Sequence, residues 1–297
     1  MEIKMLESFL AVAREENITA AAEFLHISQP ALSIQLKKLE DEFGKKLLIR
    51  GTKGSRKITL TEEGHILRKR AEEILALFDR AKEEIISSDE KIIGNIFIGT
   101  GETETVRIFA KVAKKIQIKH PHIKYNISSG NAEHVLNHLD KGLIDFGLIF
   151  TEVDRNKYEV FPVPIYDDWG VLMRKDSPLA QKDSITPDDL WDKPLIVSSQ
   201  KGDDNYLKRW LKRQEKDLNI IASYNLVFNA SLLVDEGLGY ALCLDKIINT
   251  TGTNLCFKPL SPPLKANCYI IWKKYQVFSK ATAVFLKCLQ EIFPTTF

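Results

Sequence analysis

Six residues near the N-terminus, Ser28, Gln29, Pro30, Ser33, Ile34 and Lys37, are of types that can read the edges of base pairs. An amide can pair with adenine, a cation with guanine and a hydroxyl with either, while apolar surface meets the thymine methyl. Helical spacing gathers Gln29, Pro30, Ser33, Ile34 and Lys37 on one face, opposite Leu32, Leu36, Leu39 and Phe43. Ser28 is a good N-cap, Pro30 fits a first turn and Gly44 supplies the positive φ of a helix end. The pattern predicts a helix over about 29–42 with its leucines and Phe43 turned inward.

Two elements must position that helix. Leu6, Phe9, Leu10 and Ala13 predict a first helix over about 2–15. Asn17 caps a second, from Ile18 to Leu25, whose alanines let a crossing helix come close. Only His26-Ile27 separates it from the next cap, so helices two and three form a helix-turn-helix, whose contacts concentrate in the N-terminal half of its second helix. The β-prone runs Leu47–Arg50 and Lys57–Leu60 flank the Gly- and base-rich 51–56. They predict a β-hairpin wing whose tip lies along the phosphate backbone or in the minor groove, with Arg50, Lys53 and Arg56 as its contacts.

Net charge conceals this patch. The 297 residues carry +2 overall, which does not announce a nucleic-acid binder. Residues 28–57, however, hold eight bases against three acids, +5, and residues 61–90 hold five against nine, −4. With 44% hydrophobic and 28% charged residues the composition is that of a folded protein and excludes a disordered or collagen-like chain. The four cysteines, Cys243, Cys256, Cys268 and Cys288, lack C-x-x-C spacing and fit small thiols in a reduced compartment. No apolar run approaches a membrane span, and acids stand where a signal peptide would carry bases, so a cytoplasmic protein without membrane contact is expected.

The stretch Ala20-Ala21-Ala22-Glu23-Phe24-Leu25-His26-Ile27-Ser28-Gln29-Pro30-Ala31-Leu32-Ser33, followed by 37–44, Leu47-Leu48-Ile49-Arg50 and Leu60-Thr61-Glu62-Glu63-Gly64, resembles the DNA-binding domain of LysR-type transcriptional regulators. Leu48 stands where that family usually has Phe, and the wing is a few residues longer than its commonest pattern. The resemblance implies a dimer or tetramer on inverted-repeat double-stranded DNA, a small-molecule co-inducer of unknown identity, no other cofactor, no catalysis, and RNA polymerase as a further partner.

Thr61 caps a long helix in which Leu67, Ala71, Ile74, Phe78, Ala81 and Ile85 follow one another at alternating steps of four and three. This heptad seam is expected to pair two copies. Residues 87–91 read as a polar hinge. Beyond it, 95–99, 103–119, 123–128, 131–141 and 144–150 read β-α-β-α-β, a parallel sheet. Further strands are expected near 160–163, 169–174, 195–198, 220–224, 240–244 and 268–273, and helices near 203–214, 229–236 and 279–293. Residues 169–174 and 234–241 again resemble the second effector subdomain of LysR-type proteins. The fold class is thus an α+β two-part chain: a winged helix-turn-helix (1–60), a linker and dimerisation helix (61–90), then an effector domain (91–297). The resemblance implies that the last holds two α/β subdomains of the periplasmic-binding-protein type 2 kind, I over about 91–160 and 268–297, II over about 161–267.

Open α/β sheets bind ligands beyond the carboxyl ends of their strands, at helix starts. On that rule Thr100, Glu102, Thr103, Ser129, Ser198 and Asn229 are the effector candidates. Glu102 and Glu104 place acid at the first such helix and argue against a simple organic anion, unless Glu102 turns to solvent. Four other signals carry no chemistry here. The Gly99–Glu104 segment lacks the third glycine of a dinucleotide fingerprint and has Glu104 in its place. His134 and His138 share a helix face without a third metal ligand, so no metal is expected. Cys243 and Cys268 fall in expected strands and Cys288 in the last helix, and 195–210, where peroxide-sensing members of the LysR type carry theirs, has no cysteine. No Ser-His-Asp or paired-carboxylate set stands out.

Overall fold

The computed structural model describes residues 1–51, 57–86, 92–199 and 209–294, which fall into two compact units, Met1–Ile86 and Ser87–Phe297. The wing tip with Lys53 and Arg56, the hinge and the first half of the helix expected near 203–214 lie outside the described residues.

The first unit is built from α1 (Ile3–Glu15), α2 (Ile18–Phe24) and α3 (Gln29–Phe43). Asn17 caps α2 by accepting the Thr19 and Ala20 N–H groups at 2.8 and 3.2 Å. Ala21 and Ala22 are buried, so α2 lies close against its neighbours. The turn is closed by the Ile27 N–H donating to the Ala22 carbonyl at 3.0 Å, with His26 left-handed at φ 55°. Ser28 accepts the Ala31 N–H at 3.3 Å and starts α3. Phe9, Leu6, Leu32, Leu36 and Leu39 fill the core, each worth about 1.5–3 kcal/mol when fully buried.

Phe43 departs from the expected inward face: it is 47% exposed. The inward position of that last turn belongs to Glu40, whose carboxylate accepts the Leu47 and Leu48 N–H groups at 2.9 and 3.3 Å and pairs with Lys46 at 2.8 Å. The wing strands β1 (Leu48–Arg50) and β2 (Ile58–Leu60) pair antiparallel, Leu48 opposite Leu60. Thr61 then starts α4 (Glu62–Ile86), accepting the Gly64 N–H at 2.9 Å and donating to the Lys46 carbonyl at 2.8 Å. Gly64 is required by this close approach, because a Cβ there would lie 2.2 Å from the Leu47 carbonyl oxygen.

The heptad seam of α4 divides. Leu67 and Ala71 are buried in the core of their own unit, with Ile74 packed partly against it, so they are not pairing residues. The first half of α4 lies on α1 and the wing, which leaves only the second half, with Phe78 at 46% and Ile85 at 83% exposure and Ala81 exposed, without a cover in this unit.

The second unit has two lobes. In the first, β4 (Ile123–Ser129), β3 (Gly94–Thr100) and β5 (Phe146–Ile149) lie parallel, and β11 (Lys265–Lys273) pairs antiparallel with β5. α5 (Arg107–Lys119) and α8 (Lys280–Ile292) cover one face around Phe109, Phe146 and Phe285; α6 (Ala132–Asp140) covers the other around Val135 and Leu139. In the second lobe β9 (Tyr240–Leu244), β7 (Leu195–Ser198) and β8 (Ile220–Tyr224) are covered on one face by α7 (Val227–Asp235).

One strand, β6 (Tyr158–Arg174), joins the lobes. Its first part pairs with β11, its last with β9 on one edge and β10 (Leu255–Pro259) on the other. Sequence patterning splits it at 163 and 169, since Pro162 and Pro164 lack the N–H of a ladder residue and Asp167-Asp168 break the apolar run. The short β10 escapes the pattern. The helix expected from Thr103 opens instead with a 3-10 turn, Glu104–Val106.

Burial alone would raise the Glu40 carboxyl, but Lys46 and the two wing N–H groups outweigh it and hold it below its ordinary value. An acid depressed in this way stabilises the fold above its unfolded pKa, and the stabilisation is lost as pH falls through the folded value. Glu40→Ala leaves two buried N–H groups without an acceptor and should cost about 1–3 kcal/mol at pH 7, with the gap to wild type narrowing on acidification. Urea melts of the full chain at pH 7 and pH 3.5 check both statements; an equal gap at the two pH values would refute the charge argument.

Candidate functional site

α3 presents Ser28, Gln29, Pro30, Ile34 and Lys37 to solvent, with Ser33 half-buried beside them. Gln29 and Lys37 are eight residues apart, about 12 Å along a helix, which matches the roughly 12 Å width of a DNA major groove. Much of the basic cluster is neutralised internally. Lys45 pairs with Glu63 at 3.6 Å, Lys46 with Glu40 at 2.8 Å and Lys57 with Glu16 at 2.8 Å. Lys37, Lys38 and Arg50 are exposed and make no ion pair with a described residue. They are the cations that the described residues of this face offer a phosphate backbone; Lys53 and Arg56 lie outside the described residues.

The second unit holds a cavity of about 250 Å³ between its lobes. It lies beyond the carboxyl ends of β3, β4, β5, β7 and β8, where Gly101, Gly130, Phe150, Ser198 and Asn225 form its rim. Trp169 and Tyr269 from the crossing strands, with Tyr224, Leu148 and Leu244, make its aromatic and apolar wall. Among the described residues its charged ones are Glu102, Glu152 and Lys265.

Of the six expected effector residues, Glu102 and Ser198 line this cavity and four do not. Thr100 is buried, its hydroxyl donating to the Gly101 carbonyl at 2.8 Å, because strand alternation turns it into the lobe. Thr103 is used internally: its hydroxyl donates to Asp167 and accepts the Thr105 N–H. Ser129 is exposed away from the cavity. α7 begins two residues before Asn229, which sets that side chain on its outer surface. Glu102 does not turn to solvent. Its Oε2 accepts the Val227 N–H at 2.5 Å, across the cleft, at the first residue of α7. Trp169, Lys265, Asn267 and Tyr269 are brought to the cavity by strand pairing, which periodicity does not show, while Asn225 follows the carboxyl end of β8, within reach of the strand-end rule but outside the expected set.

Asp167, in the middle of β6, is 5% exposed and accepts hydroxyl hydrogen bonds from Thr103 and, at 2.9 Å, from Thr105. Burial raises its carboxyl above the ordinary value, against the pull of these hydroxyls, and Glu104 adds to the rise. The other polar signals lead to no site. His134 and His138 stack at 3.9 Å, and His138 Nδ1 lies 2.8 Å from the His134 carbonyl oxygen. No cluster of three metal-ligating side chains occurs among the described residues. Burial pushes the Cys243 thiol up to about 12 and raises Cys268 as well, which suits unreactive thiols. No helix among the described residues is long and apolar enough to cross a membrane.

A helix-turn-helix head followed by a two-lobed α/β unit with a central cleft defines a class of bacterial regulators. The description "Bacterial regulatory helix-turn-helix protein, lysR family" matches residues 3–65, and "LysR substrate binding domain" matches residues 90–294. The chain belongs to the LysR family. It is 32% identical over 197 residues to the HTH-type transcriptional regulator CysL of Bacillus subtilis (strain 168), a match covering 66% of this chain and 64% of that one. A second regulator of that organism, BsdA, is 37% identical over 151 residues, 51% of each chain, so both relatives are matched over less than two thirds of their own length. The Hca operon transcriptional activator HcaR of Escherichia coli (strain K12) is 28% identical over 302 residues, 98% of each chain. The fold is that of full-length CbnR crystallised with its target DNA, at a TM-score of 0.77 and 19% identity, covering 98% of this chain and 99% of that one.

An acid whose folded pKa is raised destabilises the fold once ionised, so the penalty is absent at low pH and full above the folded value. Asp167→Asn removes it while keeping one hydroxyl acceptor. Wild type should therefore gain thermal stability relative to Asp167→Asn as pH falls from 7.5 to 4.5. Melting the two full chains in parallel cancels every other titration, and a constant difference would show that Asp167 is not penalised.

Proposed function

We propose that this chain is a transcriptional regulator, not an enzyme, that reads inverted-repeat operators with α3, pairs through the second half of α4 and senses a small molecule in the cleft of its second unit. The observation that carries the reading is the exposed face of Gln29, Ile34 and Lys37 on the second helix of a helix-turn-helix. The DNA complex described for the CbnR neighbour supports the same use of the head. RNA polymerase is a further partner, a tetramer a further assembly, and the effector the only small molecule required. A ligand alters DNA binding only by favouring one arrangement of lobes or copies over another.

Sequencing genomic DNA that co-purifies with the protein tests the reading and names the operator. Gln29→Ala and Ser33→Ala should relax base choice by ~1–3 kcal/mol per contact, whereas Lys53→Ala and Arg56→Ala should weaken binding to every sequence and flatten its salt dependence. Recovery of random DNA, or unchanged selectivity in both helix variants, would overturn base reading by α3.

The pairing surface has its own test. Phe78→Asp and Ile85→Asp should shift the chain toward monomer in sedimentation and lose preference for two half-sites over one, while Leu67→Asp should unfold the head. An unchanged oligomer in the double variant Phe78→Asp/Ile85→Asp would place pairing elsewhere.

A further inference from the structure

Four helices of the chain, α2, α3, α6 and α8, start with an Asn or Ser that caps its own helix. α7 does not. Its cap position is Leu226, which has no side-chain acceptor, and the helix runs nine residues from Val227. The acceptor comes from the opposite lobe: Glu102, 125 residues earlier, bonds the Val227 N–H at 2.5 Å. Both residues also line the cavity. The neighbouring acid, Glu104, is paired with Arg107 on its own element, so the two acids of this turn have separate uses.

We infer that Glu102 is a tethered anion: it fills the place at the start of α7 that a ligand carboxylate would take, latches the two lobes across the cleft, and leaves a cavity suited to an uncharged ligand. This rests on the reading of the cleft as the sensing site. A helix start with open N–H groups attracts an anion, and a carboxylate already seated there excludes a second by charge and by volume. Among the described residues the rest of the wall carries one charge of each sign, Glu152 and Lys265, the latter with its ammonium 4.2 Å from the Tyr166 ring centre. What remains for a ligand is an aromatic and aliphatic surface, Trp169, Tyr269 and Leu244, with neutral hydrogen-bonding groups on Ser198, Asn225 and Asn267. Such a wall favours a small apolar molecule carrying an alcohol, amide or carbonyl over an organic acid.

The test swaps the tethered carboxylate for a free one. Thermal midpoints of full-length wild type, Glu102→Ala and Glu102→Gln are measured against acetate and benzoate, with chloride at equal ionic strength and benzamide as the uncharged match for benzoate. Glu102→Ala should melt lower than wild type and be restored by the carboxylates, at roughly tenfold lower concentration than any effect on wild type, the factor that one charge-assisted hydrogen bond supplies. Glu102→Gln, which keeps the acceptor and loses the charge, should melt between the two and respond less than Glu102→Ala. A carboxylate response equal in wild type and Glu102→Ala, or absent from Glu102→Ala, overturns the inference. Neither result touches DNA selection by the head. Failure of DNA selection with the carboxylate difference intact would overturn the regulatory reading instead.

Discussion

The cleft depends on one buried carboxylate. Asp167 sits where β6 passes from one lobe to the other, and among the described residues its carboxylate is hydrogen-bonded by hydroxyls: Thr103 and Thr105 both donate to the same oxygen. An ionised carboxylate in such a place is costly unless hydrogen-bonded. The bonds that relieve the cost also fix geometry. Thr103 gives its proton to Asp167 and accepts the Thr105 N–H, which holds the 3-10 turn at Glu104–Val106 rather than a full helix from Thr103. That turn fixes the chain just ahead of it, where Glu102 reaches across to Val227. The crossing strand, the turn and the latch are one connected set of hydrogen bonds.

This arrangement places the lobes under two kinds of restraint. β6 and β11 are covalent or ladder connections, present in any arrangement of the lobes. The Glu102–Val227 bond exists only while α7 faces the turn after β3. A cleft whose lobes are held by such a bond has a natural two-state element, and in the sensing role proposed above a ligand against Trp169 or Tyr269 would act on it. The same logic explains why α7 can dispense with an Asn or Ser at its own cap: an independent cap would satisfy the helix start without any cross-cleft contact.

The head was legible in the sequence because its determinants are local. Caps at Asn17 and Ser28, the two-residue turn and the leucines of α3 each act within a few residues. The errors came where a face must be assigned to a neighbour. Phe43 and Glu40 are three residues apart in the last turn of α3, and hydropathy favours Phe43, yet the wing's unpaired N–H groups draw Glu40 inward. Leu67 and Ala71 fit a pairing seam by spacing, but the register of α4 on α1 buries them at home. In the cleft, periodicity located the strand ends correctly and still missed most of the lining. Whether a polar residue at a strand end faces the cavity turns on the parity of the strand, which buries Thr100, and on long-range bonds such as Thr103 to Asp167.

Charge gives the same lesson on a larger scale. The +5 of residues 28–57 is a count along the chain, and folding spends part of it: Glu16, Glu40 and Glu63 neutralise Lys57, Lys46 and Lys45 to fasten α1, α3, the wing and α4 to one another. Only Lys37, Lys38 and Arg50 among the described bases of that segment face outward unpaired. Each phosphate neutralised contributes a counterion-release term, so affinity for the DNA backbone scales with the number of such cations presented together. The described bases of that segment thus supply only part of such a term, Lys53 and Arg56 lying outside the described residues, and base contacts along α3 and a second head would add to it. In the dimer proposed above, the exposed second half of α4 would serve that end: Phe78, Ala81 and Ile85 have no cover in their own unit, and a second copy laid over them would double the cations and the base-reading faces at once.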